Sequence, residues 1–448
     1  MMKHSVILEY RRCRGCTTCI KNCPTEAIRV RNGKATILNE RCIDCGKCIQ
    51  VCPHKAVKSV SDSLEKLEKY RYRVALPDPV LYGQFHHLDD IDIVLNGLLR
   101  IGFQKVFETA RAAEILSDYA RHTIKNGEER VMPQISSACP TILRLIRTRF
   151  PKLIPNVAST ITPVELAAIL ARREAEAETG LPPEEIGVFS IVPCSSQVTA
   201  AHTPEGLQKP VLDGAFAIRE VYLRLLGPMR DLKEVKPMCS AGIMGIGWAC
   251  CGGESAARLG QSYLAVDGIE NCIRMLEEIE DGRLPEADFI ELCACTQGCV
   301  GGCLTVENPY GARMRIKKLM KGLPVSRNRF DFRSGGRDLV RVDRELQYLP
   351  SFQLDQDRGA ALEKLVKIEE LERSLPGLDC GSCGAPSCHA FAEDVILGRA
   401  SEEDCIFKMR ERMQYMTGES DADEYLPAPF RHRQLPRKDG GPGHISRR

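Results

Sequence analysis

Between Cys13 and Cys52 the chain writes one sulfur pattern twice. Cys-x2-Cys-x2-Cys-x3-Cys-Pro occurs at Cys13, Cys16, Cys19, Cys23 and Pro24, and again at Cys42, Cys45, Cys48, Cys52 and Pro53. Thiolates at this spacing wrap two four-iron, four-sulfur clusters: the first three of each run hold one cluster and the fourth reaches across to the other. That rule assigns cluster A to Cys13, Cys16, Cys19 and Cys52, and cluster B to Cys42, Cys45, Cys48 and Cys23. Zinc sites and disulfide knots rarely use three cysteines three apart followed by Cys-Pro, in duplicate. The chemistry these residues suit is electron transfer.

Two further cysteine sets follow. Near the carboxyl end, Cys380-x2-Cys383-x4-Cys388-x16-Cys405 lies among Gly377, Gly381 and Gly384, which let a backbone fold tightly and aim amides at sulfide. Spacing alone leaves zinc as an alternative there. In the middle, Cys139 precedes Pro140, Cys194 follows Val192-Pro193, and Cys295 and Cys299 lie in a glycine-rich run ending Gly301-Gly302. Each follows an apolar strand or sits on a tight turn, where loops from separate βα units can converge. Four convergent cysteines suggest one more four-iron cluster.

The elements that must position these groups are legible in outline. A chain of 448 residues supports two to four domains, and 62 basic against 60 acidic residues give no field for nucleic acid or an anionic membrane. No apolar run is long enough to span a bilayer, and Met1 to Ser5 has no signal core. With 22 cysteines mostly in cluster spacings, the expected setting is a reducing, anaerobic cytoplasm. Residues 1–60 form the first module, with short strands over Ala27–Val30 and Ala35–Leu38. Ser61 to Arg73 reads as a charged helical connector. Residues 74–355 alternate helix and strand, with helices at Ile91–Leu99, Ala112–Ile124, Val164–Ala177 and Gly268–Glu280 and strands at Lys105–Phe107 and Val188–Val192, the signature of α/β architecture with parallel sheets. Residues 356–418 hold an amphipathic helix (Leu362, Leu365, Ile368, Leu371, Leu375) and the last cysteines. Residues 419–448 are polar, proline-rich and basic, as in a disordered tail.

The motifs carry resemblances. The first module resembles bacterial ferredoxins. The last cysteine set resembles the four-cysteine cluster domain of corrinoid iron–sulfur proteins and membrane electron-transport complexes. Residues 75 to 320 resemble the catalytic domain of the iron-only (di-iron) hydrogenase large subunit. That family carries T-S-C-C-P, M-P-C-x-x-K and E-x-M-x-C-x-x-G-C-x-x-G-G; this chain matches the cysteine frames in order at Ser137-Ala138-Cys139-Pro140, Val192-Pro193-Cys194 and Glu291 to Gly302. Gly102 to Phe107, Pro151 to Asn156 and Ser240 to Gly253 match as well. The resemblance implies a two-lobed α/β central domain. It also implies a four-iron cluster on Cys139, Cys194, Cys295 and Cys299, with Cys299 bridging to a di-iron centre.

The reaction site departs from that family. Its proton-donating cysteine is Ala138, its lysine is Gln197, its methionines are Val192 and Cys293, and its tryptophan is Ile142. Losing a positioned proton-transfer group costs about 100- to 10,000-fold, and losing a cationic donor weakens retention of an anionic cofactor. These changes argue against a fast hydrogenase and leave a slow one open, with Cys293 as a substitute thiol. Cys239, Cys250, Cys251, Cys293 and Cys303 are left over; they either ring the vacated di-iron pocket as a different metal site or are small buried residues. Cys272 reads as core. The expected function is therefore electron transfer or redox sensing on a hydrogenase-like scaffold, through a redox or signalling protein partner (a ferredoxin, a kinase or another oxidoreductase). A ferredoxin-linked di-iron hydrogenase is the alternative.

Overall fold

The computed structural model describes residues 4–125, 131–260, 262–283, 286–331, 336–351 and 353–417, and the basic tail lies outside them. In the amino-terminal module, β1 (Val6–Leu8) pairs antiparallel with β4 (Val57–Ser59), and β2 (Ile28–Arg31) with β3 (Lys34–Ile37). The β2–β3 turn is Asn32-Gly33, both at positive φ (51° and 71°), the geometry that matches strand twist in a two-residue hairpin. Val6, Ile20, Ile28, Ala35, Ala56 and Val57 bury a small core shared with Cys13, Cys19 and Cys48.

The connector differs from its sequence expectation. Leu64–Lys69 forms a short 3-10 turn that buries Leu67, and the chain becomes strand β5 (Tyr72–Pro77) from Tyr72 onward. Pairing beside a fully buried partner overrides the helical reading: Val74, Ala75 and Leu76 are completely enclosed.

Strand β5 pairs parallel with β6 (Lys105–Val106) on one side and β8 (Ile186–Val192) on the other, and β8 pairs parallel with β9 (Gly214–Ala217). All seven residues of β8 are buried, as expected of a parallel strand covered on both faces. Alternate residues face opposite cores. Ala75, Phe189, Ile191 and Phe216 pack with helices Ile91–Arg100 and Ile218–Arg230, while Val74, Leu76, Val188 and Ala215 pack with Thr109–Lys125 and Pro163–Thr179. The last helix starts as its sequence predicts, with Pro163 at its first position and a Thr162–Glu165 capping box, and it ends at left-handed Gly180.

A second parallel sheet runs β10 (Tyr263–Asp267), β11 (Phe289–Cys293), β7 (Gln134–Ile135). Its core joins Ile135, Ile290 and Leu292 to helices Pro140–Arg149 and Ile269–Glu280, with Cys272 wholly buried as expected.

By internal contacts the chain divides into two compact units, one ending at Gln353 and one beginning at Leu354. The amino-terminal module therefore belongs to the same compact unit as the α/β domain. In the second unit, helix Arg358–Ser374 packs on Cys388–Ile396. Ile368, Leu371 and Leu375 are buried there, whereas Leu362 and Leu365, expected on the same stripe, are exposed. Among the described residues no helix is long and apolar enough to cross a membrane.

Candidate functional site

Folding the module exchanges the fourth cysteine of each run. A cavity of about 330 Å³ is lined by Cys13, Cys16, Cys19 and Cys52, and a second of about 330 Å³ by Cys23, Cys42, Cys45 and Cys48. Left-handed Gly15 and Gly46 turn the two runs at equivalent points. Backbone N–H groups are aimed at sulfur: Ala27 N donates to Cys23 Sγ (3.2 Å), Ala56 N to Cys52 Sγ (3.2 Å) and Ala35 N to Cys13 Sγ (3.3 Å). Burial pushes the Cys19 thiol up to about 11, with Cys13, Cys16 and Cys52 adding to it, and burial pushes Cys42 up to about 12. Crowded sulfurs of this kind ionise only with a cation between them, which a bound iron cluster would supply. Donor set, enclosure and N–H···S bonds all fit a four-iron cluster in each cavity.

The central cysteines come from strand ends. Cys139 caps helix Pro140–Arg149 after β7, Cys194 caps helix Ser195–His202 directly after β8, and Cys295 and Cys299 follow β11. Because the strands of each sheet are parallel, these loops share the carboxyl edge, the usual place for a ligand in such folds. The four thiols converge. Burial raises the Cys194, Cys295 and Cys299 thiols; Cys139 adds to the rise at all three, Cys194 and Cys295 add to it at Cys299, and Asp78 adds there too. Gly298, at φ +88°, lies so close to the backbone of Cys250 and Cys251 that no Cβ would fit; this fixes the turn that presents Cys299.

Beside Cys299 lies a cavity of about 690 Å³ walled by Ala138, Gln197, Asp78, Thr109, Glu165 and Trp248, among others. Ala138 and Gln197 stand where the sequence places the altered pocket. Cys293 does not: among the described residues it lies off this wall, at the end of β11, with Sγ 3.6 Å from Glu291 and the Cys251 thiol beside it. The other spare cysteines also fail to ring the cavity. Cys239 Sγ faces Glu108 (3.8 Å), and Cys303 Sγ faces Ser195 (3.5 Å). Cys303 lies instead beside the central set, where it adds to the rise of the Cys194 and Cys295 thiols. The sequence reading missed Asp78, a half-buried residue whose carboxyl is pushed up to about 6 by desolvation against hydrogen bonds from Val80 N–H and Gln197. Its only sequence signal is Pro77-Asp78-Pro79 at the end of the first parallel strand.

The module docks on this edge through its Cys42–Cys48 loop. Ser195 Oγ donates to the Asp44 carbonyl (2.7 Å) and Gln50 Nε2 to the Gly301 carbonyl (3.1 Å). Fully buried Arg144 bridges Asp44 (2.8 Å) and Glu205 (2.7 Å). A Cβ on Gly46 would stand 2.5 Å from Cys303 Sγ, and Cys45 and Cys303 both raise the Cys295 thiol after burial and the nearer cysteines. The second cysteine set of the module thus abuts the central set.

In the carboxyl-terminal unit, Cys383, Cys388 and Cys405 share one small core, and Cys380 opens the glycine loop leading to it. Asp379 Oδ1 accepts from Cys388 N–H (2.6 Å), and Gly381 and Gly384 take positive φ. His389 pairs with Glu372 (2.7 Å), as suits a side chain outside the ligand set.

Comparison with known proteins follows these divisions. The family model for the iron-only hydrogenase large subunit, C-terminal domain, matches residues 73–237 and 253–303. A 4Fe-4S dicluster domain matches residues 5–53, and an Fe-S cluster family matches 375–407. The periplasmic Fe hydrogenase large subunit of Nitratidesulfovibrio vulgaris is 24% identical over 368 residues, 67% of this chain and 86% of that one. A cytosolic Fe-S cluster assembly factor of Danio rerio is 20% identical over 261 residues, 46% of this chain and 63% of that one. Among solved structures, a cysteine-to-histidine variant of apo FeFe-hydrogenase from Chlamydomonas reinhardtii superposes with a TM-score of 0.51 at 14% identity, covering 65% of this chain and 100% of that one. At that identity the likeness concerns the fold.

Proposed function

In a chain whose iron-only hydrogenase large-subunit-like domain is flanked by iron–sulfur cluster domains, we propose a multi-cluster electron-transfer or redox-sensing role. The observation that carries it is the docking of Cys45 and Gly46 against Cys303, Ser195 and the central cysteines. We assign cluster A to Cys13, Cys16, Cys19 and Cys52, and cluster B to Cys42, Cys45, Cys48 and Cys23. The central cluster goes to Cys139, Cys194, Cys295 and Cys299, and the last to Cys380, Cys383, Cys388 and Cys405. Such clusters supply one-electron storage when bound. The chain's own residues fix the junction: Arg144, Ser195 and Gln50 hold the module in register, with Cys45 and Cys299 half-buried beside it. A redox or signalling protein partner, in a reducing cytoplasm, completes the reading.

A di-iron hydrogenase is the second reading, and the comparisons favour it: the hydrogenase-like domain is retained, with a cavity of about 690 Å³ against Cys299. Against it stand Ala138 and Gln197 on the cavity wall. Infrared spectroscopy on anaerobic protein, co-produced with the di-iron maturation machinery, separates the two. With the four-iron clusters verified, the first reading expects no bands from carbon monoxide or cyanide on iron; their presence establishes the second. Cys299→Ser should abolish the central cluster's electron paramagnetic resonance signal, and an unchanged signal refutes that ligand set.

A further inference from the structure

Cys251, Glu291 and Cys293 play no part in any of the cluster sets, yet the fold brings them together. We propose that they form a mononuclear site for a thiophilic divalent cation of the zinc(II) class. Their ligand atoms all lie within 4.8 Å of one another. A tetrahedral ion with metal–sulfur bonds of about 2.3 Å and a metal–oxygen bond of about 2.0 Å sets sulfur and oxygen about 3.5 Å apart, and two sulfurs about 3.8 Å apart. Cys293 Sγ stands 3.6 Å from Glu291 Oε1, already one edge of that figure.

The backbone holds this geometry. Glu291 and Cys293 are alternate residues of β11, so both side chains leave the same face. Cys251 N–H donates to the Gln297 carbonyl (3.0 Å), which ties its loop to the turn after β11.

Electrostatics gives the second line of argument. Glu291 is 4% exposed. Its oxygens accept backbone N–H groups, Gly252 N to Oε1 (2.9 Å) and Ser255 N to Oε2 (2.8 Å), and Oε1 also accepts from the Cys293 thiol, whose proton a bound cation would displace. A carboxylate offers about four acceptor sites, so these bonds orient it, as outer partners orient a metal ligand, and leave lone pairs toward the thiols. The neighbouring carboxylate, Glu254, is of like charge and has its own cation in Arg258 (3.1 Å). A capping role for Glu291 at helix Gly253–Arg258 accounts for the carboxylate. It does not account for two cysteines beside it.

Two thiolates and a carboxylate suit zinc(II) better than magnesium or calcium. Both cysteines are half-buried, so the fourth position is left to water or an added ligand, the open arrangement typical of catalytic rather than structural zinc. This inference does not rest on the function proposed above, because the three residues are distinct from every assigned cluster ligand.

The test uses full-length protein with its iron–sulfur clusters intact, equilibrated with zinc(II) and freed of loose metal. One tightly bound zinc per chain is expected, with sulfur at about 2.3 Å by zinc-edge X-ray absorption. Cobalt(II) in its place should give thiolate charge-transfer absorption. Cys251→Ser and Cys293→Ser should each lower zinc affinity at least tenfold while iron content holds; Cys239→Ser, remote from the site, should keep the zinc. Zinc no higher in the unmutated chain than in Cys251→Ser, or lost equally in Cys239→Ser, overturns the site. Should a variant lose iron as well, alkylation of the unmutated chain decides: zinc must protect Cys251 and Cys293, and equal labelling with and without zinc refutes the proposal.

Discussion

Gly46→Ala probes the junction between the module and the central cysteines. Gly46 has φ +72°, and a Cβ there would meet Cys303 Sγ at 2.5 Å, Cys303 Cβ at 2.9 Å and Ser195 Oγ at 3.3 Å. Two costs add. Alanine in the left-handed region costs about 1–2 kcal/mol, and forcing an extra carbon into a packed site costs about 1–3 kcal/mol. Gly33→Ala separates them: Gly33 has φ +71° and open space around it, so it should show the first cost alone. The assay is anaerobic denaturant unfolding of both variants, followed by circular dichroism, with the rate of reduction of the central cluster from the module measured alongside. Gly46→Ala should be the less stable by about 1–3 kcal/mol, and it alone should slow that reduction. Adding Cys303→Gly should return most of the difference, because it removes the two nearest of the three atoms that the new carbon meets and leaves only Ser195 Oγ at 3.3 Å. Equal losses in the two alanine variants, or no rescue, would refute a close-packed junction at Cys303.

The remaining predictions concern the groups that hold the module and the sheet. Arg144→Met removes the bridge between buried Asp44 and Glu205, which keep only His4 and Arg147 as partners, and should cost about 1–3 kcal/mol. Arg149→Met, which breaks the half-exposed pair with Glu277 (2.7 Å), should cost no more than about 1 kcal/mol, and comparable denaturation midpoints would contradict the ranking. Burial tends to raise the Asp62 carboxyl, but hydrogen bonds from His202, Ala215 N–H and Lys66 outweigh it and hold it well below the usual carboxylate range. A depressed carboxyl stabilises the fold above its unfolded value and loses that contribution as pH falls toward its folded value. Asp62→Asn should therefore cost about 1–3 kcal/mol at pH 7. The gap from wild type should hold to about pH 4.5 and close below about pH 4; a gap constant to pH 3 in paired melts would contradict the assignment.

What was legible in the sequence was whatever local spacing encodes. The duplicated cysteine runs imply which sulfurs share a cavity, because the exchange of Cys23 and Cys52 is built into the length of each run. Thr162-Pro163 marks its helix start for the same reason, a proline at the first turn, while the capping box that Glu165 closes there is seen only in the structure. The strand at Tyr72–Pro77 was missed because its charged approach resembles a helix, and only burial beside β8 makes it a strand. The stripe from Leu362 to Leu375 was half right, since period alone does not reveal where a neighbouring element stops. The spare cysteines were hardest. Cys251 and Cys293 are distant in sequence, and which side of the sheet edge each thiol faces depends on strand register, which the residues do not spell out.

The cavity beside Cys299 carries the argument about chemistry one step further. Relative to the hydrogenase pattern, its wall has lost a thiol at Ala138 and a cation at Gln197, and the half-buried carboxyl of Asp78 lies on the same wall. The first change removes a proton donor, and the second removes a positive charge. Asp78 contributes a group that turns negative as pH rises through about 6, hydrogen-bonded to the glutamine that stands in for the lysine. Both changes, and Asp78 beside them, bear on proton handling and on the retention of an anion. By contrast, the convergence of Cys139, Cys194, Cys295 and Cys299 and the docking of the Cys42–Cys48 loop retain the donor set on which electron transfer depends. A wall altered at random would show losses on both sides. The one-sided pattern is the one the proposed electron-transfer role expects, and the infrared test above decides between it and a di-iron hydrogenase.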